Sequence, residues 1–179
     1  MKSGYTLDPR ETVIKEINRH WVDLIPVAVS SLALIIVDIA LVYFASRFAD
    51  QLKFLPSGFV ILLVLTLLLL AAAISTVGIY IYHQNKLIMT DMHLIQIVQN
   101  GLFGRSVSQL SIAKVQDVSA SRRGFFATML DYGSIEVETA GEDDNFVFNF
   151  APHPQQLADE CLSIHEKYAP LSSETKAEV

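Results

Sequence analysis

The chain has 179 residues, 51 % of them hydrophobic, with 13 Lys/Arg against 19 Asp/Glu and a formal net charge of −6. Residues 83–179 hold 7 Lys/Arg and 13 Asp/Glu, so all of the net charge falls there. A broadly acidic module gains nothing from nucleic acid or from an anionic membrane surface, which argues against a nucleic-acid partner. A single cysteine, Cys161, excludes an intramolecular disulfide.

Residues 1–23 read as an amphipathic segment before the membrane. Asp8 can cap a helix, Pro9 suits its first turn, and Glu11 completes a capping box. Val13, Ile14, Ile17 and Trp21 recur on one helical stripe, opposite Lys15, Glu16 and Arg19.

Two apolar runs follow, 24–48 and 59–82, within a segment 24–82. About 20 apolar residues cross a bilayer, and in lipid a lone span must be helical to satisfy its backbone. The first run is too long for a signal-peptide core of about 7–15 residues, so it reads as retained. The short loop Ala49–Gly58, with Pro56-Ser57-Gly58 as its turn, predicts an antiparallel transmembrane hairpin. Lys2, Arg10, Lys15, Arg19, Lys86 and Arg105 flank the outer ends, against Arg47 and Lys53 at the loop. The positive-inside rule places both termini in the cytoplasm, as a multi-pass protein of the plasma membrane. Trp21, Phe48, Phe54, Phe59, Tyr80 and Tyr82 fall near the expected interfaces. The second run lacks a clean pair of small residues for tight helix packing.

Asp38 falls mid-span, where an ionised carboxylate costs about 2.5–3.5 kcal/mol. Either it bonds within the hairpin, with Thr66 at a suitable depth, or it makes a polar contact to a membrane partner. One acid on two helices is too little for a translocation path.

Residues 84–170 read as a small β domain closed by a helix. Leu87–Thr90 and Leu94–Gln99 are strands around the turn Asp91-Met92-His93, and Asn100-Gly101 with Gly104 supplies the next turn. Ser106–Ser121 holds two strands with a bend or bulge. Arg122–Tyr132 is a loop with a helical turn at Phe125–Leu130. Ser134–Thr139 alternates, Gly141–Asp144 turns, and Phe146, Phe148 and Phe150 form a stripe of period two. Leu157, Cys161, Ile164 and Tyr168 share one face of a helix that begins near Pro152 and Pro154 and stops at Pro170. Residues 171–179 read as a flexible tail.

The blocks Ile112-Ala113-Lys114-Val115-Gln116-Asp117-Val118 and Leu130-Asp131-Tyr132-Gly133-Ser134-Ile135-Glu136-Val137-Glu138-Thr139-Ala140-Gly141 follow the two spans, and Leu7–Glu11 precedes them. In this order they resemble the bacterial pleckstrin-homology (PH) domain membrane proteins of the YdbS-like type. The resemblance covers about residues 5–168. It implies an α+β membrane protein, in which a two-helix transmembrane hairpin is followed by a PH-like antiparallel β-barrel with a C-terminal capping helix. It implies no activity. Gly133 stands where the family pattern needs a tight approach.

The sequence holds no nucleophile elbow, phosphate loop, dinucleotide fingerprint or zinc spacing, so no enzyme, cofactor or metal is expected. The histidines His20, His83, His93, His153 and His165 are scattered. Glu136, Glu138, Glu142, Asp143 and Asp144 form an acidic patch, either a solvated face or a contact for a cation or basic partner. Arg122, Arg123, Phe125 and Phe126 are the best candidate contact to a partner or to lipid. Alternatively, Phe125, Phe126, Met129 and Leu130 pack inward and the arginines are solvated. The expected role is a non-catalytic scaffold at the cytoplasmic face, whose partners are the lipid bilayer and a membrane protein or another copy. The alternative is an accessory or sensor subunit of a transporter or enzyme complex, meeting its partner through the hairpin.

Overall fold

The structure, a computed structural model, describes residues 11–48, 57–139 and 146–177. The Asp8 cap, the turn residue Pro56 and the acidic residues Glu142, Asp143 and Asp144 lie outside these. Two compact units form. One is Asp23–Ile81, and the other joins Met1–Val22 to Tyr82–Val179.

The first unit is a pair of helices, α1 (Ile25–Arg47) and α2 (Ser57–Gln84). Leu, Ile and Val on every face make them helices that are long and apolar enough to cross a membrane, and a 27-residue helix is about 40 Å long. Their most apolar windows are only 11 % and 6 % buried. The less exposed positions recur every three or four residues: Val27, Ser31, Leu34, Asp38, Leu41 and Ala45 on α1, and Val60, Val64, Leu67, Ala71, Ile74 and Gly78 on α2. This is the spacing of two helices packed along a narrow seam. Ser31 Oγ and Ser75 Oγ lie 2.8 Å apart. A Cβ on Gly78 would come within 2.6 Å of Val27 Cγ1, so only glycine permits this approach. The pairing of 27 with 78 and 31 with 75 is antiparallel.

Among the described residues the second unit contains seven strands. β1 is Val13–Asn18, β2 Lys86–Thr90, β3 His93–Asn100 and β4 Gly104–Ser111. They form one antiparallel sheet in that order. A 3-10 turn, Ile112–Lys114, leads to β5 (Val115–Ser121). The short helix α3 (Phe125–Met129) then precedes β6 (Tyr132–Thr139) and β7 (Phe146–Pro152), and these strands make a second sheet, β5-β6-β7. Helix α4 (Pro154–Ala177) packs on β5, β6 and the 3-10 turn. The core gathers Leu87, Met89, Leu110, Ile112, Ile135, Val137, Phe148, Leu157 and Cys161. This is an α+β arrangement of the PH-like kind.

Four expectations change. The expected amphipathic helix at Val13–Asn18 is instead strand β1, with Asn18 opposite Lys86 and Ile17 opposite Leu87. Only Ile17 of its apolar residues is buried, at 5 % exposure, and Glu16 and Lys15 form ion pairs with Lys86 and Glu160. The two helices are therefore inserted between adjacent strands of one domain. The strands also do not close into one barrel: they form two sheets, and the 3-10 turn interrupts the ladder between β4 and β5. Phe150 leaves the aromatic stripe because its φ of +56° turns its side chain away, whereas Phe146 and Phe148 are buried. Finally, α4 extends past Pro170 to Ala177. A proline removes one helix hydrogen bond, and the chain resumes the helical path beyond it.

Candidate functional site

The chain leaves the domain after β1 and re-enters at β2, and this neck is held by polar contacts. Tyr82 Oη donates to Arg19 O at 2.9 Å. The Gln99 amide donates to the buried Asn85 Oδ1 at 2.7 Å, which sets β3 against the start of β2. His20, two residues past β1, donates its amide to Phe150 O at 2.6 Å, so the two sheets meet here.

A ladder of rings grows from this junction. His20 stacks on Tyr132 at 5.4 Å, and Tyr132 stacks on Phe150 at 6.1 Å. Burial lowers the His20 pKa, and nearby His153 lowers it further, against a smaller opposing effect of Asp131. Val22 N–H donates to His20 Nδ1 at 3.3 Å, which also favours the neutral ring. Asp131 holds two cations or donors at once, Arg122 Nη1 at 3.0 Å and His153 Nδ1 at 2.5 Å. Asp131, Phe150 and His153 all have left-handed backbone, with φ of +53°, +56° and +46°. Each such non-glycine residue costs about 1–2 kcal/mol, so this corner is held in place by its packing. A pocket of about 260 Å³ opens beside it, lined by Arg19, Arg123, Tyr132, Ser134, Asn149 and Phe150 among others.

The structure puts the sequence-predicted residues in two places. Arg122 is tied to Asp131, and Arg123 lines the pocket. Phe125, Phe126 and Met129 do not pack inward. They are 75 %, 65 % and 60 % exposed, and Ala127 is the residue of α3 that is buried. Asp38 lies on the seam of the helix pair at 4 % exposure, and neither carboxylate oxygen has a hydrogen-bond partner among the described residues. Thr66 does not reach it. It lies on the exposed side of α2 and its hydroxyl donates to Leu62 O at 2.8 Å.

Glu136 and Glu138 sit on β6 opposite Ser119 and Asp117. Among the described residues no group of three or more His, Cys, Asp or Glu side chains could hold a metal ion. Cys161 is buried, with its thiol pushed up to about 12 by desolvation and by Glu160, so it is unreactive. Gly133 makes the tight approach its sequence context implied, since a Cβ there would lie 2.2 Å from Ser121 O.

Sequence reasoning missed Arg19, His20, Tyr132 and the hairpin tip Leu102-Phe103. His20 and His153 are 133 residues apart, and no local pattern joins them. The clue at 102–103 was two apolar residues in a turn that needs none.

The family described as Bacterial PH domain matches residues 22–164. No curated protein matches the chain. Among solved structures, a DUF1696-family protein with a pleckstrin-homology domain from Shewanella loihica PV-4 is similar to it, at 14 % identity and a TM-score of 0.36, over 49 % of this chain and 73 % of that one. With the match spanning both apolar helices, β2 to β7 and the first part of α4, the chain belongs to the bacterial PH domain family.

Proposed function

We propose that this protein is a membrane-anchored, non-catalytic interaction module. In this reading α1 and α2 cross the plasma membrane, both termini are cytoplasmic, and the PH-like domain is held at the inner face to bind lipid, a membrane protein or another copy. One observation carries it: both helices are apolar all round and almost unburied, and they enter the fold between two hydrogen-bonded strands. Water would not tolerate apolar surface of that extent.

Alkaline carbonate extraction and protease protection test it together. The full chain should stay in the membrane pellet, and a C-terminal tag should be digested only when the cytoplasmic side is exposed. Release into the carbonate supernatant would refute the anchor, and protection of the tag would refute the orientation.

A second reading draws on Asp38. An accessory subunit could meet a transporter or enzyme complex through the hairpin, with Asp38 and Thr66 as polar contacts. Because Asp38 faces the seam, a partner reaches it only if the helices part, whereas the exposed Thr66 face is open to contact. Loss of a co-purifying partner on Thr66→Leu, with the domain intact, would support this reading.

A further inference from the structure

The net charge of the domain conceals an uneven distribution. Asn18 pairs with Lys86, and Lys86 pairs with Ile97. The chain therefore leaves for the helices from the same end of the first sheet at which β3 finishes and β4 starts. β3 runs on to Asn100, so the tip Leu102-Phe103 projects roughly 10 Å beyond Lys86, at about 3.4 Å per residue. In the second sheet β5 ends at Ser121, opposite Ser134, and α3 follows. The contacts of His20 with Phe150 and Tyr132 bring that end beside the end of β1.

Among the described residues, every large apolar side chain of this unit that is more than half exposed lies at this end: Trp21, Leu102, Phe103, Phe125, Phe126 and Met129. Phe103 is 98 % exposed. Exposed Arg105, Arg122 and Arg123 stand among them; of the acids nearby, Asp131 is held by Arg122 and His153, and Glu16 by Lys86. Glu11, Asp91 and Glu138 belong to the opposite end, where β1, β3 and β5 begin.

We propose that this end of the PH-like domain docks on the anionic surface of the bilayer. The tip Leu102-Phe103 and the α3 side chains Phe125, Phe126 and Met129 enter the interfacial layer, and Arg105 and Arg123 face lipid phosphates. The net acidity of the module is offset locally, because Arg105, Arg122 and Arg123 gather at this end and Glu11, Asp91 and Glu138 lie at the other. Aromatic rings among cations match the headgroup layer, and continuity with the strands that lead to the apolar helices selects lipid over another occupant. The proposal rests on the membrane anchoring inferred above. It adds that the domain lies on the surface in one orientation.

The test uses the full chain in vesicles of phosphatidylethanolamine and phosphatidylglycerol, with a fluorescent label on Phe103→Cys, Phe126→Cys or Ala113→Cys. Residue 113 is exposed in the turn at the far end, and the native Cys161 is buried. Lipids carrying a shallow nitroxide should quench the labels at 103 and 126 and spare the label at 113. Arg105→Glu with Arg123→Glu should lower the docked-to-undocked ratio by more than about tenfold. Equal quenching at all three positions, in protein that resists carbonate extraction, overturns docking and leaves anchoring intact. Protein that carbonate extracts refutes anchoring and docking together. Shielding of position 103 that grows with protein-to-lipid ratio, without lipid quenching, assigns this end to a second copy and also overturns the proposal.

Discussion

Replacing Ile17 with alanine separates a strand from an amphipathic helix at the start of the chain. Ile17 is 5 % exposed and belongs to the core with Leu87 and Met89, whereas Ile14 is 43 % exposed. Ile→Ala deletes three carbons. At about 0.8 kcal/mol per buried carbon the transfer loss alone is about 2.4 kcal/mol, and the residual cavity raises it to about 3–5 kcal/mol. A small domain has about 5–15 kcal/mol to lose, so the change is large. Ile14→Ala should cost less than about 1 kcal/mol, since nearly half of its side chain is already in solvent. Pulse proteolysis of full-length protein in nanodiscs across a urea series, scored on cleavage of the PH-like domain, measures both. A membrane-surface helix with Ile14 and Ile17 on one stripe would make the two substitutions equivalent and leave the domain untouched. Equal effects, within about 0.5 kcal/mol, would refute β1 as part of the core.

Four further outcomes follow from the geometry. With Ser31→Cys and Ser75→Cys, whose parent hydroxyls lie 2.8 Å apart, oxidation should cross-link α1 to α2, and Gly78→Leu should abolish the cross-link by displacing Val27; an unchanged yield would refute the seam. Asp38→Leu removes a buried carboxylate without a partner among the described residues, so the helix pair should resist detergent unfolding better, by about 2 kcal/mol, and a loss of stability would reveal a partner. Gly133→Ala places a methyl on Ser121 O and should cost several kcal/mol in the same proteolysis assay, about the scale of a backbone clash that cannot relax. His20 has a pKa below its ordinary 6.5, mainly from burial, so the folded chain takes up its proton less readily than the unfolded chain. Its stabilising share is complete above 6.5 and is lost as pH falls from there through the folded pKa; His20→Phe should flatten that slope in a pH series, and an unchanged slope would refute the assignment.

Local pattern was enough where local pattern decides the structure. Alternation at Ile135 and Val137 marked β6, and the spacing of Leu157, Cys161 and Ile164 marked α4; all five are buried. The hairpin turn at Asn100-Gly101 came from the same source, with Gly101 at φ +77°. β1 was hidden because its partner β2 begins 68 residues after Asn18, and Val13, Ile14 and Ile17 fit a helical stripe equally well. Asp8-Pro9-Arg10-Glu11 then reinforced the wrong period. Phe150 was missed because a left-handed phenylalanine is set by its surroundings, here Tyr132 and the bulge between Gly133 and Ser134. The basic end was invisible to a charge count, since Arg19, Arg105 and Arg123 come from three distant segments and a sum over residues has no direction.

Inserting a helix pair between β1 and β2 is sterically economical. An insertion must begin and end at points that are close together. Asn18 and Lys86 face each other across one antiparallel ladder, where neighbouring strands lie about 4.8 Å apart. An antiparallel helix pair also begins and ends at one end, and Val27 against Gly78 shows how near the two chains come there. A domain fused after two spans would hang from one flexible point. Here the chain enters through one strand and leaves through its neighbour, each buttressed by its own hydrogen bonds, Tyr82 to Arg19 and Gln99 to Asn85. Two adjacent tethers resist rotation far better than one. Deleting the chain through the end of β1 therefore removes a core strand and a tether at once, and should release the labels at 103 and 126 from lipid even though both helices remain. A truncated protein that keeps full quenching at both positions would show that one tether suffices.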